Sequence, residues 1–151
     1  EIDSNSIALT ISKKNLELNF PNRIFPLEEF RQVEADGFDA LSKLESDKQK
    51  FDLVILDPPA FARRNKQTKT ALNAYAKLAE AGTRVIAKDG ILFAASCSVH
   101  VKAHNFYKAV FSGIQSAGRE YKEIRRTGHA KDHPAIFAEG EYLKGLFCEI
   151  I

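Results

Sequence analysis

The run Phe51-Asp52-Leu53-Val54-Ile55-Leu56-Asp57-Pro58-Pro59-Ala60-Phe61 constrains this chain more than any other segment. Leu53 to Leu56 is apolar without polar alternation, the pattern of a central parallel strand covered on both faces. Two successive prolines then end the ladder, because neither has an N–H to donate. Asp57 is therefore expected at the carboxyl end of a buried strand, where open α/β sheets bind their ligands. A second run, Gly90-Ile91-Leu92-Phe93-Ala94-Ala95, ends in the same manner on Ser96-Cys97-Ser98. An acid and a thiol at neighbouring strand ends point to chemistry on a flat, polar ring.

Length and composition bound the class. A chain of 151 residues, 44% hydrophobic and 28% charged, has room for one domain with a real core, taken here as residues 1–151. No apolar run approaches membrane-spanning length, so no membrane partner is expected. The two cysteines, Cys97 and Cys148, make a poor disulfide framework, which favours a reducing, cytoplasmic compartment. The net charge of +2 says little about partners, but its distribution says more. Between Ala62 and Ala79 lie Arg63, Arg64, Lys66, Lys69 and Lys77 with no acid among them. With no methionine anywhere and no strand ahead of Glu1, the chain reads as a segment of a longer protein.

The elements alternate, as in an α/β sheet with helices on both faces. Ile7, Ile11 and Leu18 predict a helix from Ser4 to Asn19, with Asp3 or Ser4 as its N-cap. Arg31 to Ala35 reads as a short strand closing on Asp36-Gly37. Phe38, Leu41 and Leu44 mark a second helix. After the Asp57 strand come a basic loop and a long helix with Leu72, Tyr75, Leu78 and Ala79 inward and Val85 and Ile86 near its end. Phe106, Val110, Phe111 and Ile114 mark another helix, ended near Gly118. Tyr121 to Thr127 and Tyr142 to Ile151 are the last strands, expected to pair antiparallel.

In this order and spacing the fragments resemble the class I S-adenosylmethionine-dependent methyltransferases. The nearest likeness is to the ribosomal RNA cytosine-5 methyltransferases of the large-subunit methyltransferase I type. It is carried by Asp3 with Ala8-Leu9, Val33-Glu34-Ala35-Asp36, Asp57-Pro58-Pro59-Ala60-Phe61, Ser96-Cys97-Ser98, Asp132-His133-Pro134 and Tyr142-Leu143-Lys144-Gly145. The resemblance implies a Rossmann-like, mostly parallel sheet with a C-terminal antiparallel hairpin. It also implies that the family's first strand and Gly-rich turn are missing, since no Gly-x-Gly occurs.

By the same resemblance, S-adenosylmethionine is the cofactor. Asp3 would bind its ribose hydroxyls and Asp36 its adenine amine, with Phe38 near the ring and Asp57 and Pro58 beside the bound cofactor. Asp3 as a helix cap and Asp36-Gly37 as a simple turn are the plainer readings of the same residues. Cys97 would be the nucleophile that adds to cytosine C6, making C5 able to attack a methyl sulfonium, with Asp57 as the acid at the base. A small buried core residue is the plainer reading of Cys97. Cys148, in an apolar closing run, keeps that plainer reading.

Phe61 is either a stacking partner for a flipped base or an anchor for its loop. Arg63, Arg64 and Lys66 would track RNA phosphates, and His133 would line the site. His100 and His104 have metal-pair spacing but lack a third ligand, so no metal is expected. The Asp-Pro-Pro-aromatic signature of amino-methyltransferases also comes close, although Ala60 displaces Phe61 from that register.

The expected function is therefore transfer of a methyl group to cytosine C5 of ribosomal RNA. The alternatives are an exocyclic amine or guanine ring nitrogen as acceptor, or a non-catalytic RNA-binding remnant. A chain lacking a central strand would expose sheet edges, and a homodimer through them is a further expectation.

Overall fold

The computed structural model describes residues 1–20, 30–62, 64–132, 134, 135, 137 and 140–151. They fall into two compact units, residues 1–44 and 45–151, and the division lies within a helix.

In the first unit, β1 (Ile2–Asp3) pairs in parallel with β2 (Val33–Glu34), Ile2 opposite Val33 and Asp3 opposite Glu34. Val33 N donates to Glu1 O at 3.0 Å and Ala35 N to Asp3 O at 3.2 Å, and each strand is only two residues long. Two residues are too few to leave a periodic signal, which is why β1 escapes a sequence reading and β2 is shorter than Arg31 to Ala35 suggests. Between them, α1 (Ser6–Asn19) is capped by Asn5, whose side chain accepts from Ile7 N and Ala8 N. The cap is thus neither Asp3 nor Ser4. Of the apolar residues on α1, Leu9 is buried, whereas Ile7, Ile11 and Leu18 are exposed. Gln32 secures β2 to this helix by donating to Leu9 O at 2.7 Å. α2 (Gly37–Ser46) follows and buries Ala40 and Leu41.

The second unit holds β3 (Phe51–Leu56), α3 (Thr68–Arg84), β4 (Ile86–Ser96), α4 (Ala103–Ser116), β5 (Tyr121–Thr127) and β6 (Lys144–Ile150). The sheet order is β3-β4-β6-β5. β3 and β4 are parallel, and β6 runs antiparallel between β4 and β5. The last two strands do pair antiparallel, and β6 additionally inserts beside β4. Val85 and Ile86 are not the end of the long helix: Val85 caps it and Ile86 opens β4.

The core is one face of this sheet against two crossing helices. Leu92, Leu146, Cys148 and Ile150 from the strands and Phe106, Val110 and Ile114 of α4 are all essentially inaccessible. Helical spacing of the last three is what turns a single stripe of α4 inward. Gly113 lies on the same stripe and allows α4 to approach the backbone of α3 at Ala76 and Glu80.

The opposite face corrects the expectation for the Asp57 strand. β3 is an edge strand of its four-stranded sheet. Val54 and Leu56 are buried, but Leu53 is 53% and Ile55 61% exposed. Ile55 lies opposite Phe93, which lies opposite Phe147, and these two rings stack with centroids 4.3 Å apart. An unbroken apolar run reports that both faces are apolar, not that both are covered. Among the described residues no helix is long and apolar enough to cross a membrane.

Candidate active site

Parallel pairing places the ends of β3 and β4 on one edge. Leu56, the last residue of β3, lies opposite Ala94, two residues before the end of β4. Asp57 and Cys97 therefore both follow strands that terminate on the same side of the sheet. β5 runs in the same direction, being antiparallel to β6, and brings Thr127 to that side too. Asp57 is exposed, Pro58 half-buried and Cys97 half-buried.

The Ser96-Cys97-Ser98 turn is held from three directions. The Tyr75 hydroxyl on α3 and Ser96 Oγ share a hydrogen bond of 2.8 Å, and Ser96 Oγ also accepts from Ser98 N at 3.3 Å. Ser98 Oγ donates to Ala62 O at 3.0 Å, tying this turn to the loop that follows Asp57. From β6, Lys144 Nζ donates to Ser98 O at 2.7 Å and to Tyr142 O at 2.8 Å. Tyr75, Ser96, Ser98 and Lys144 are all buried, so the network has little water to compete with it. Burial above all raises the pKa of the Tyr75 phenol, nearby charge on Cys97 and Asp57 adds to this, and hydrogen bonding to Ser96 and the Phe61 backbone opposes it. Tyr75 is therefore a neutral strut, not a base at ordinary pH.

The Phe61 ring lies 4.8 Å from that of Tyr75, which in turn meets Phe106 edge-on at 5.1 Å. Half-buried in this position, Phe61 anchors the loop after Asp57 onto α3. Arg64 and Lys66 are exposed just beyond it, around the short 3-10 turn Asn65–Gln67. Arg63 and His133 lie outside the described residues. His129, on the same side as Thr127, accepts from Tyr142 N and Leu143 N through Nε2. Arg126 is paired with Glu123 at 2.8 Å and lies over the Tyr107 ring.

In the first unit, Asp3 and Asp36 follow the same rule. Asp3 ends β1, Asp36 stands two residues beyond β2, and the two strands are parallel neighbours. Asp3 Oδ1 accepts from Asn5 N at 2.7 Å and Asp36 Oδ1 from Phe38 N at 2.8 Å. Each carboxylate is thereby oriented by the backbone through one oxygen. Phe38 is exposed beside Asp36.

Tyr75 and Lys144 are residues to which the sequence reading gave no role in the site. Tyr75 was legible only as an inward helix position. Lys144 carried a signal: it is in phase with Leu146, Cys148 and Ile150 on the buried face of β6. The two thiols differ sharply. Cys148 is inaccessible, and burial pushes its thiol up to about 12. In native protein iodoacetamide is expected to modify Cys97 and leave Cys148 intact until denaturation, read by peptide mass spectrometry. Equal labelling of both would show that β6 is not closed into the core.

No family model matches the chain. Among solved structures it resembles SMU.776, described as a candidate methyltransferase complexed with SAH, with a TM-score of 0.80 and 19% identity over 98% of this chain and 38% of that one. A candidate SAM-dependent methyltransferase from Streptococcus mutans superposes with a TM-score of 0.78 and 18% identity, covering 98% of this chain and 37% of that one. The fold is that of a class I methyltransferase. Sequence relatives include a ribosomal RNA large subunit methyltransferase of Deinococcus radiodurans, 40% identical over 99% of this chain and 36% of that protein. The ribosomal RNA large subunit methyltransferase I of Alteromonas mediterranea is 34% identical over 99% of this chain and 37% of its own length. The chain thus spans little more than a third of these relatives.

Proposed function

We propose that this chain is the catalytic part of an RNA methyltransferase that modifies C5 of cytosine in large-subunit ribosomal RNA. The observation that carries the reading is the thiol of Cys97 on the same sheet edge as the carboxylate of Asp57, within a methyltransferase fold. The names of the sequence relatives supply the RNA class.

The donor fits the residues present. Asp3, at a strand end, suits the vicinal hydroxyls of a ribose, and Asp36 suits an adenine amine with Phe38 against the ring. Bound S-adenosylmethionine supplies the methyl group. Cys97 attacks C6 of the cytosine as a thiolate, and the S–C6 bond makes C5 enamine-like and nucleophilic. Asp57, with Pro58 fixing its backbone, sits at N3 and stabilises the adduct. Once C5 carries the methyl group, whose bond to the donor sulfonium breaks to leave a thioether, the C5 proton passes to solvent water, the S–C6 bond breaks, and the thiolate of Cys97 is restored. Arg64 and Lys66, exposed beyond the Phe61 anchor, follow the phosphates of an RNA whose target base is extruded.

The test is product identity. Intact protein, methyl-labelled S-adenosylmethionine and unmodified large-subunit ribosomal RNA should yield 5-methylcytidine on nucleoside digestion. A methylated exocyclic amine or methylguanosine would replace the cytosine-5 reading with the amino or ring-nitrogen alternative. Asp3→Ala tests the donor site separately. Losing a charged hydrogen-bond partner should weaken calorimetric binding of S-adenosylmethionine by about 10- to 100-fold. Unchanged affinity would remove Asp3 from the site.

A further inference from the structure

One buried charge in this unit has no counter-ion among the described residues. Lys144 is 6% exposed and lies opposite Ser96 across the β4–β6 ladder. Its ammonium donates only to the neutral carbonyls of Ser98 and Tyr142, and no carboxylate pairs with it among the described residues. An isolated buried cation is costly, and a neutral side chain would fill this position more cheaply. The Ser98 carbonyl belongs to the residue that follows Cys97, so the charge is fixed directly behind the turn that presents the thiol. Burial lowers the pKa of the Lys144 ammonium, whereas negative charge on Cys97 raises it.

We propose that Lys144 is the counter-cation of the Cys97 thiolate, a positioning residue that holds a positive charge behind the turn bearing the nucleophile. The inference rests on Cys97 being the nucleophile. No bond is made or broken at Lys144: the thiol proton leaves to solvent, and the ammonium keeps its three protons throughout. Among the described residues, other ionisable groups at this corner are Tyr75 from α3, which feels both Cys97 and Asp57, and Asp57 itself beyond β3. Neither a neutral phenol nor a carboxyl group can act as a counter-cation, so of these groups Lys144 is the one that can favour a thiolate.

The rate of Cys97 alkylation by iodoacetamide in intact protein, measured from about pH 6 to about pH 10, tests this across the ordinary thiol range. Lys144→Gln keeps a donor for the Ser98 carbonyl but removes the charge. It should react about tenfold more slowly than wild type near pH 7 and match it above about pH 9.5, where an ordinary thiol is already ionised. Lys144→Arg should retain the wild-type profile. Lys144→Met, of similar volume and apolar, repeats the measurement should the glutamine variant fail to fold. Coincident profiles for wild type and the uncharged variants would overturn the proposal, as would a variant slow at every pH, which marks a scaffold role only. Alkylation reads the thiol without turnover. A Cys97→Ala variant that still methylated RNA would sink the nucleophile reading and leave this profile standing.

Discussion

Cys97→Ala is expected to abolish methyl transfer to cytosine, lowering turnover by at least about 10³-fold, while S-adenosylmethionine binding stays within about twofold of wild type. The asymmetry follows from the chemistry. C5 of an unactivated cytosine is too poor a nucleophile to take a methyl group, and no other accessible thiol lies on this sheet edge, since Cys148 is sealed in the core. The cofactor contacts proposed for Asp3 and Asp36 do not involve sulfur, so binding should survive. Single-turnover assays with labelled donor measure the loss. RNA carrying 5-fluorocytosine gives a second readout: without a C5 proton to lose, the adduct cannot resolve. Wild type should form a denaturant-stable protein–RNA complex and Cys97→Ala should form none. Normal turnover by the alanine variant would end the covalent mechanism and favour an acceptor that needs no thiolate.

Gly113→Ala should be the most damaging single substitution away from the site. A Cβ there would fall against the Ala76 carbonyl, 2.8 Å from Ala79 Cβ and 2.9 Å from Glu80 N. Two of these three neighbours are backbone atoms of α3, which cannot rotate aside as a side chain can. The helices must separate, and overpacking of this kind costs about 1–3 kcal/mol, with the upper end expected here because backbone atoms cannot yield. Valine at the same position should prevent folding. The effect reaches the site through Tyr75, because α3 carries the hydroxyl that holds Ser96. Urea midpoints measure the stability loss. Gly37→Ala is the control: nothing lies within 4 Å of a Cβ there, and its midpoint should barely move. A Gly113→Ala protein as stable as wild type would mean that α3 and α4 do not cross this closely.

Much of the architecture was legible because its causes are local. The stripe Phe106, Val110, Ile114 declares a helix, and consecutive prolines end β3 wherever the strand lies. Strand ends rich in Asp, Cys and Ser were therefore visible as candidate ligand positions, and parallel pairing of β3 with β4 places two of them on one edge. The failures share a cause as well. Leu53 and Ile55 resemble core residues by hydropathy, yet exposure depends on what lies against each face. Ile7, Ile11 and Leu18 have helical spacing, but Leu9 is the residue buried on α1.

What the amino-acid order determined alone is most of the succession of strands and helices and the chemical character of three strand ends: Asp36, Asp57 and Cys97 all follow apolar or extended runs. Those properties arise from hydrophobic period, capping and proline chemistry within about ten residues of chain. Tertiary structure decided what surrounds the thiol. Tyr75 reaches Ser96 across 21 positions of sequence and Lys144 reaches Ser98 across 46. Those contacts exist because β6 inserts beside β4 in one register, with Ser96 opposite Lys144. A shift of one residue would turn Lys144 to the other face of the sheet, and only long-range packing sets that register.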